Sequence, residues 1–196
     1  FRRNHGIANC PVVLFVSRLQ PANRVDLLVR ATAQLVQDIP ALKTVIIGDG
    51  TQEKERLQAL AADLKVENSV VFVDGTYDEM QLAPWFLSAK VFCYPANVGL
   101  SLIHAFWYGL PVVTTDNIKV QNPEIAAFKH GKNGLSYADD SVSSLTEALR
   151  KIVTDHALQS SLSIAARHTV EEGYTIPLMV NGLDAAIRYA ADNPVP

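Results

Sequence analysis

Residues 90–117, KVFCYPANVGLSLIHAFWYGLPVVTTDN, decide how this chain is read. Lys90 to Tyr94 is a short apolar run of strand-forming residues. Pro95 to Gly99 breaks it with loop chemistry, and Leu100, Ile103, Ala105, Phe106 and Trp107 resume it at helical spacing. Gly109 followed by Pro111 stops the helix, and Pro111 to Thr115 reads as a second buried strand. The product is a βαβ unit whose glycine loop opens onto a helix N-terminus. There the backbone N–H groups of Gly99, Leu100 and Ser101 lack intrahelical acceptors and the helix dipole is positive, so the position suits an anion.

The same alternation extends to both sides. Upstream, Val12–Val16, Lys43–Ile47 and Val70–Val73 are continuous apolar runs, the signature of strands covered on both faces, as in a parallel sheet. Val25, Leu28, Val29, Thr32 and Leu35 give an amphipathic helix ending near Asp38. A second helix runs from Thr51 to Lys65 with Thr51 placed to cap it, without a capping box because Lys54 stands at the third position. Tyr77, Asp78 and Glu79 lead into a short helix expected to begin or kink at Pro84, which has no N–H to donate. Downstream, His130 to Leu135 reads as loop, Ser136 to Ala138 as a weak sixth strand, and the remainder as two or three helices. The pattern predicts one α/β domain over residues 1–196 with a doubly wound, mostly parallel sheet of about six strands. Residues 1–10 are expected to be a polar lead-in from something upstream, and a start without Met fits an excised fragment.

In such sheets ligands bind beyond the carboxyl ends of the strands. Here those ends carry Arg18, Gly48 to Gly50, Asp74-Gly75, Asn97 to Gly99 and Thr115-Asp116, a rim suited to a nucleotide-sized ligand. A net charge of −3 with no block of basic residues excludes a nucleic-acid surface. No apolar run approaches the roughly 20 residues needed to span a bilayer. Two widely separated cysteines, Cys10 and Cys93, read as free thiols, Cys93 buried in a strand, and fit a reducing, cytoplasmic compartment; any membrane contact is expected to be peripheral, through an absent domain. The histidines show no metal-ligand spacing, so no metal and no cofactor are expected.

The motifs SRLQPANRVDLL, VIIGDG, NVGLSLIHAFWYGLPVV, NPEI and GKNGL, in that order, resemble the C-terminal, donor-binding domain of retaining glycosyltransferases of the two-domain GT-B fold, family 4 or glycosyl transferases group 1 type. The likeness covers about Val12 to Tyr189. It implies a donor-binding half that moves a sugar from a nucleotide-diphosphate donor to a glycan or lipid-linked acceptor, the acceptor held by an N-terminal domain absent from this chain. Such a domain alone is expected to bind donor and scarcely turn over. The family's diphosphate-gripping Arg falls on Arg18. Its Lys falls on Asn23, with Arg24 beside it as a substitute cation. The two Glu residues of its central motif fall on Ala96 and His104, leaving Asn97 as the nearest group for a sugar hydroxyl and His104 for the ribose. The resemblance thus implies leaving-group stabilisation by Arg18 and the Leu100 and Ser101 N–H groups, with Asn97 as a further catalytic candidate. Donor contacts extend to Arg24, Gly48, Gly50, Tyr77, Gly99 and His104.

Each of these has a plainer reading. Arg18 and Arg24 are also surface cations, Gly48-Asp49-Gly50 a tight turn, Tyr77 an exposed turn residue, Glu124 a surface loop residue and His104 a hydrogen-bonded core histidine. The losses at Asn23 and Ala96 make a nucleotide-sugar-binding module without catalysis the alternative. A dinucleotide-dependent oxidoreductase lacks its Gly-rich fingerprint after the first strand, and a Ser101–His104–Asp116 hydrolase lacks the nucleophile elbow.

Overall fold

A computed structural model describes residues 1–193. The chain runs β1 (Val12–Val16), α1 (Val25–Asp38), β2 (Lys43–Ile47), α2 (Thr51–Asp63), β3 (Val70–Val73) and α3 (Glu79–Ser88). It continues β4 (Val91–Cys93), α4 (Leu100–Trp107), β5 (Val112–Thr115), β6 (Gly134–Tyr137), α5 (Val142–Thr154), α6 (His156–Gly173) and α7 (Ile176–Asp192). The six strands form one sheet in the order β3-β2-β1-β4-β5-β6. All pairs are parallel, so the sheet is wholly rather than mostly parallel.

Continuous apolar strands explain this layering. Val12 to Phe15 and Val45 to Ile47 are buried, as are Val91 to Cys93. The chain steps outward from β1 to β2 and β3, returns through α3 to β4 on the other side of β1, and steps outward again to β5 and β6; with right-handed crossovers the two directions cover opposite faces of the sheet. α1 packs beside α2 and α5, and α4 beside α6. The predicted helix positions Val25, Leu28, Val29, Thr32 and Leu35 all lie in the core. Thr32 is tolerated there because its hydroxyl bonds the Leu28 carbonyl at 2.8 Å and the Thr44 hydroxyl at 2.6 Å.

Local chemistry corrects four expectations. Gly50, not Thr51, caps α2; its φ is +137°, and a Cβ there would lie 2.5 Å from the Leu19 carbonyl, so only glycine fits the turn. That helix ends at Asp63, because Lys65 turns left-handed at φ 58°. α3 begins at Glu79, capped by the Asp78 carboxylate on the Met80 N–H, and runs through Pro84. The acceptor that Pro84 leaves without a partner is the carbonyl of exposed Met80, which water can serve. β6 starts at Gly134, two residues before the expected Ser136, because a Cβ at 134 would stand 2.1 Å from the Val112 carbonyl and glycine lets the strand approach β5.

The lead-in folds back onto the domain. Ile7 is fully buried, and Arg2 donates from its guanidinium to the Ser88 and Cys10 carbonyls at 2.6 and 2.7 Å. Among the described residues no helix is long and apolar enough to cross a membrane.

Candidate functional site

Strand order reverses between β1 and β4, which opens a crevice beyond their carboxyl ends. A cleft of about 490 Å³ lies there. One wall is the end of β1, Ser17 and Arg18. A second is the start of α4, with Leu100, Ser101 and His104. The third is Gly48 and Asp49 after β2, with Gly75, Thr76 and Tyr77 after β3. A larger groove of about 870 Å³ runs along α4 and α6 past Trp107 and Arg167, but it touches no strand end.

Arg18 is exposed, and no hydrogen bond or ion pair among the described residues engages its guanidinium. Its backbone is fixed instead. Asn23, only 3% exposed, donates from Nδ2 to the Arg18 carbonyl at 2.7 Å. The residue at the family's lysine position is therefore a latch for the Arg18 loop. A buried asparagine with a main-chain partner is invisible to a reading of charge along the sequence. Arg24 is not among the residues that line the cleft. It sits in a left-handed conformation at φ 52° and pairs with Asp140 and Asp26; the hydrogen bond to Asp140 above all holds its pKa above the ordinary arginine value.

The α4 N-terminus is open. Gly99 is its N-cap without a side-chain cap, and the Leu100 and Ser101 N–H groups find no acceptor among the described residues. The Ser101 hydroxyl reaches back to the Val16 carbonyl at 3.3 Å, tying helix to strand. Such an end binds anions through backbone donors and dipole together.

The loop before α4 is clamped from several sides. Gln121 accepts from the Val98 N–H at 2.8 Å, and Asn122 donates to both the carbonyl and Oδ1 of Asn97 at 3.0 Å. Buried Tyr137 donates to the Pro95 carbonyl at 3.0 Å. Tyr94 donates to the Ser17 hydroxyl at 2.9 Å, and burial pushes its phenol above the ordinary value, so it remains a donor. Asn97, at φ 64°, thus accepts through its carbonyl and Oδ1 to hold the loop, its Nδ2 lying 3.5 Å from Asn23 Oδ1; it is not among the residues that line the cleft, nor are Gly50 and Gly99, which cap helices. Ala96 is 6% exposed and offers no polar group.

Gly48 serves two ends, because it lines the cleft and a Cβ on it would stand 1.8 Å from the Ser17 carbonyl. Tyr77 is 96% exposed at the cleft edge. His104 is half-buried, its ring 4.5 Å from that of Phe86, and its Nε2 lies 3.1 Å from Oε1 of Glu79, a residue the sequence reading used only to mark a helix. Among the described residues no group of three His, Cys, Asp or Glu side chains is placed to hold a metal ion.

A parallel sheet that reverses beside an unengaged arginine and an open helix N-terminus is the architecture of α/β domains of the nucleotide-binding type. Residues 1–169 match the family model described as glycosyl transferases group 1, and the chain belongs to that family as its C-terminal, GT-B-type domain. It is 30% identical over 177 residues to a GDP-mannose-dependent alpha-(1-6)-phosphatidylinositol monomannoside mannosyltransferase of Mycolicibacterium smegmatis, matching 85% of this chain and 45% of the relative. The chain therefore spans less than half the length of that relative. Its fold is that of Anabaena Alr3699/HepE in complex with UDP and glucose, with TM-score 0.84 at 20% identity over 96% of this chain and 51% of that one. It is also that of the C-terminal domain of a glycosyl transferase group 1 family protein (LpcC) from Francisella tularensis, with TM-score 0.74 at 16% identity over 85% and 87% of the two chains.

Proposed function

We propose that this domain binds the nucleotide-diphosphate sugar of a retaining glycosyltransferase, and that an N-terminal domain outside the chain holds a glycan or lipid-linked acceptor. The observation that carries the reading is one cleft lined both by Arg18, whose guanidinium no described residue engages, and by Leu100 and Ser101, whose N–H groups have no acceptor among the described residues. When the bond between the anomeric carbon and the diphosphate oxygen breaks, the electron pair leaves with that oxygen. Arg18 and the two N–H donors neutralise the growing charge in a site already organised for it. Charge-assisted hydrogen bonds of this kind contribute about 1.5–3 kcal/mol each. The lipid-linked acceptor named for the mycobacterial relative supports that half of the reading. Apolar residues left exposed along α7, among them Ile176, Met179, Leu183 and Ile187, support a covering domain in the full protein. Free thiols at Cys10 and Cys93 support a reducing, cytoplasmic setting, with membrane contact through the acceptor domain.

Ala96, buried and apolar at the family's sugar-contacting position, favours a second reading: a nucleotide-sugar-binding module without transfer. The test is turnover by the two-domain protein on a panel of nucleotide sugars with glycan and lipid-linked acceptors, for the native sequence and Arg18→Ala. Transfer with retained anomeric configuration, cut at least about tenfold by the substitution, is the expected result. Donor binding without transfer or donor hydrolysis would establish the module instead.

A further inference from the structure

The cleft that Arg18 lines also holds a carboxylate, where it meets the larger groove along α4. Glu79 is the first residue of α3, and it reaches the cleft because the loop after β3 delivers it opposite the side of α4. His104 Nε2 and the Tyr108 hydroxyl both engage one of its oxygens, Oε1. No hydrogen bond among the described residues reaches Oε2. The two holding groups are themselves fixed, since the rings of His104 and Tyr108 lie 4.5 and 4.9 Å from buried Phe86. The carboxyl is held below the ordinary glutamate range by the Tyr108 hydrogen bond first and by His104 as well, and so is ionised at neutral pH.

A carboxylate is acceptor-only, and sugar hydroxyls in nucleotide-binding α/β folds are read by such a group placed beyond the phosphate site. His104 cannot do this with Nε2, which is already spent on Glu79. The geometry points to Glu79 as the ribose-contacting residue of this cleft, accepting a hydroxyl proton at Oε2, with His104 and Tyr108 as the residues that position it. This rests on the donor-binding reading and adds to it a residue from α3 that no sequence motif marks.

The experiment is calorimetric titration of the 196-residue chain with UDP, GDP and ADP, then of the tightest of these beside its 2′,3′-dideoxy analogue. Native protein, Glu79→Gln and Tyr108→Phe are compared, with melting temperatures as a check on folding. The native chain is expected to prefer the ribose form by about tenfold or more, as loss of a charge-assisted bond implies. Glu79→Gln should keep the dideoxy affinity and lose most of the preference, with Tyr108→Phe between the two. A preference for ribose that is the same in native protein and Glu79→Gln overturns the assignment and leaves the phosphate site standing. Binding of none of the three diphosphates overturns the donor-site reading, and this assignment with it.

Discussion

Gly48→Ala tests whether the cleft is built by close approach of two strand ends. A Cβ at this position stands 1.8 Å from the Ser17 carbonyl oxygen and 2.9 Å from its carbon. Even a close C–H···O contact keeps about 3.3 Å, so the ends of β1 and β2 must part by roughly 1.5 Å. The obstacle is backbone, which cannot swing aside as a side chain would. Parting the strands strains the bonds from Ser17 N–H to the Ile47 carbonyl, 3.1 Å, and from Leu19 N–H to the Asp49 carbonyl, 2.7 Å. Overpacking costs about 1–3 kcal/mol and two lost bonds about 1 kcal/mol each, giving about 3–5 kcal/mol in all. For a chain of this size that is a fall in melting temperature of roughly 10 °C. Urea denaturation followed by circular dichroism measures the free-energy loss, with Gly182→Ala as control, since beyond the backbone of its own helix no atom lies within 4 Å of a Cβ there. A Gly48→Ala midpoint equal to that of native protein would refute the close-approach argument.

Three further outcomes follow from hydrogen-bonded polar groups. Asn133→Ala should cost about 2–4 kcal/mol in the same denaturation assay, because the fully buried Asn133 accepts from the Lys129 N–H at 2.7 Å and donates to the Ala127 carbonyl and the Thr169 hydroxyl. Thr32→Val should cost more than Thr44→Val: the first strips Thr44 of the partner it has, whereas the second leaves Thr32 bonded to the Leu28 carbonyl, and the difference is about 1 kcal/mol. Burial first, and the bond to Glu79 second, push the Tyr108 phenol up to about 12, so Tyr108→Phe should remove a late step from the ultraviolet titration of tyrosine. Since the folded value is raised, the stability it supplies is complete below the ordinary tyrosine value of 10.0 and is lost as pH rises through about 12.

Strand positions were legible because parallel strands buried on both faces carry unbroken apolar runs, as VVLFV and KVFCY do. β6 was harder: GLSY is half polar, and its start depends on a backbone approach to Val112 that no local pattern records. Thr51 looked like a cap by residue type, yet the turn against Leu19 demanded glycine one position earlier. In the site, residues at strand ends were legible because topology alone puts Arg18, Gly48, Tyr77, Leu100, Ser101 and His104 on one cleft. Arg24 and Asn97 lie off its lining, and what holds them was not legible, since Arg24 and Asn97 Oδ1 bond to Asp140 and Asn122, partners more than twenty residues away. The same distance hid Glu79, whose partners His104 and Tyr108 come from α4 and its end. The Asn23 latch was hidden for another reason: its partner, five residues away, is the Arg18 carbonyl, a main-chain group that residue type does not record.

The central claim is that the crevice between β1 and β4 binds a nucleoside diphosphate through Arg18 and the start of α4. Calorimetric titration of the chain with UDP, GDP and ADP, repeated with Arg18→Ala, tests it most directly. The account predicts that at least one of them binds and that the substitution weakens it by about tenfold or more. Binding that Arg18→Ala leaves unchanged, or none at millimolar concentration of all three, would contradict it.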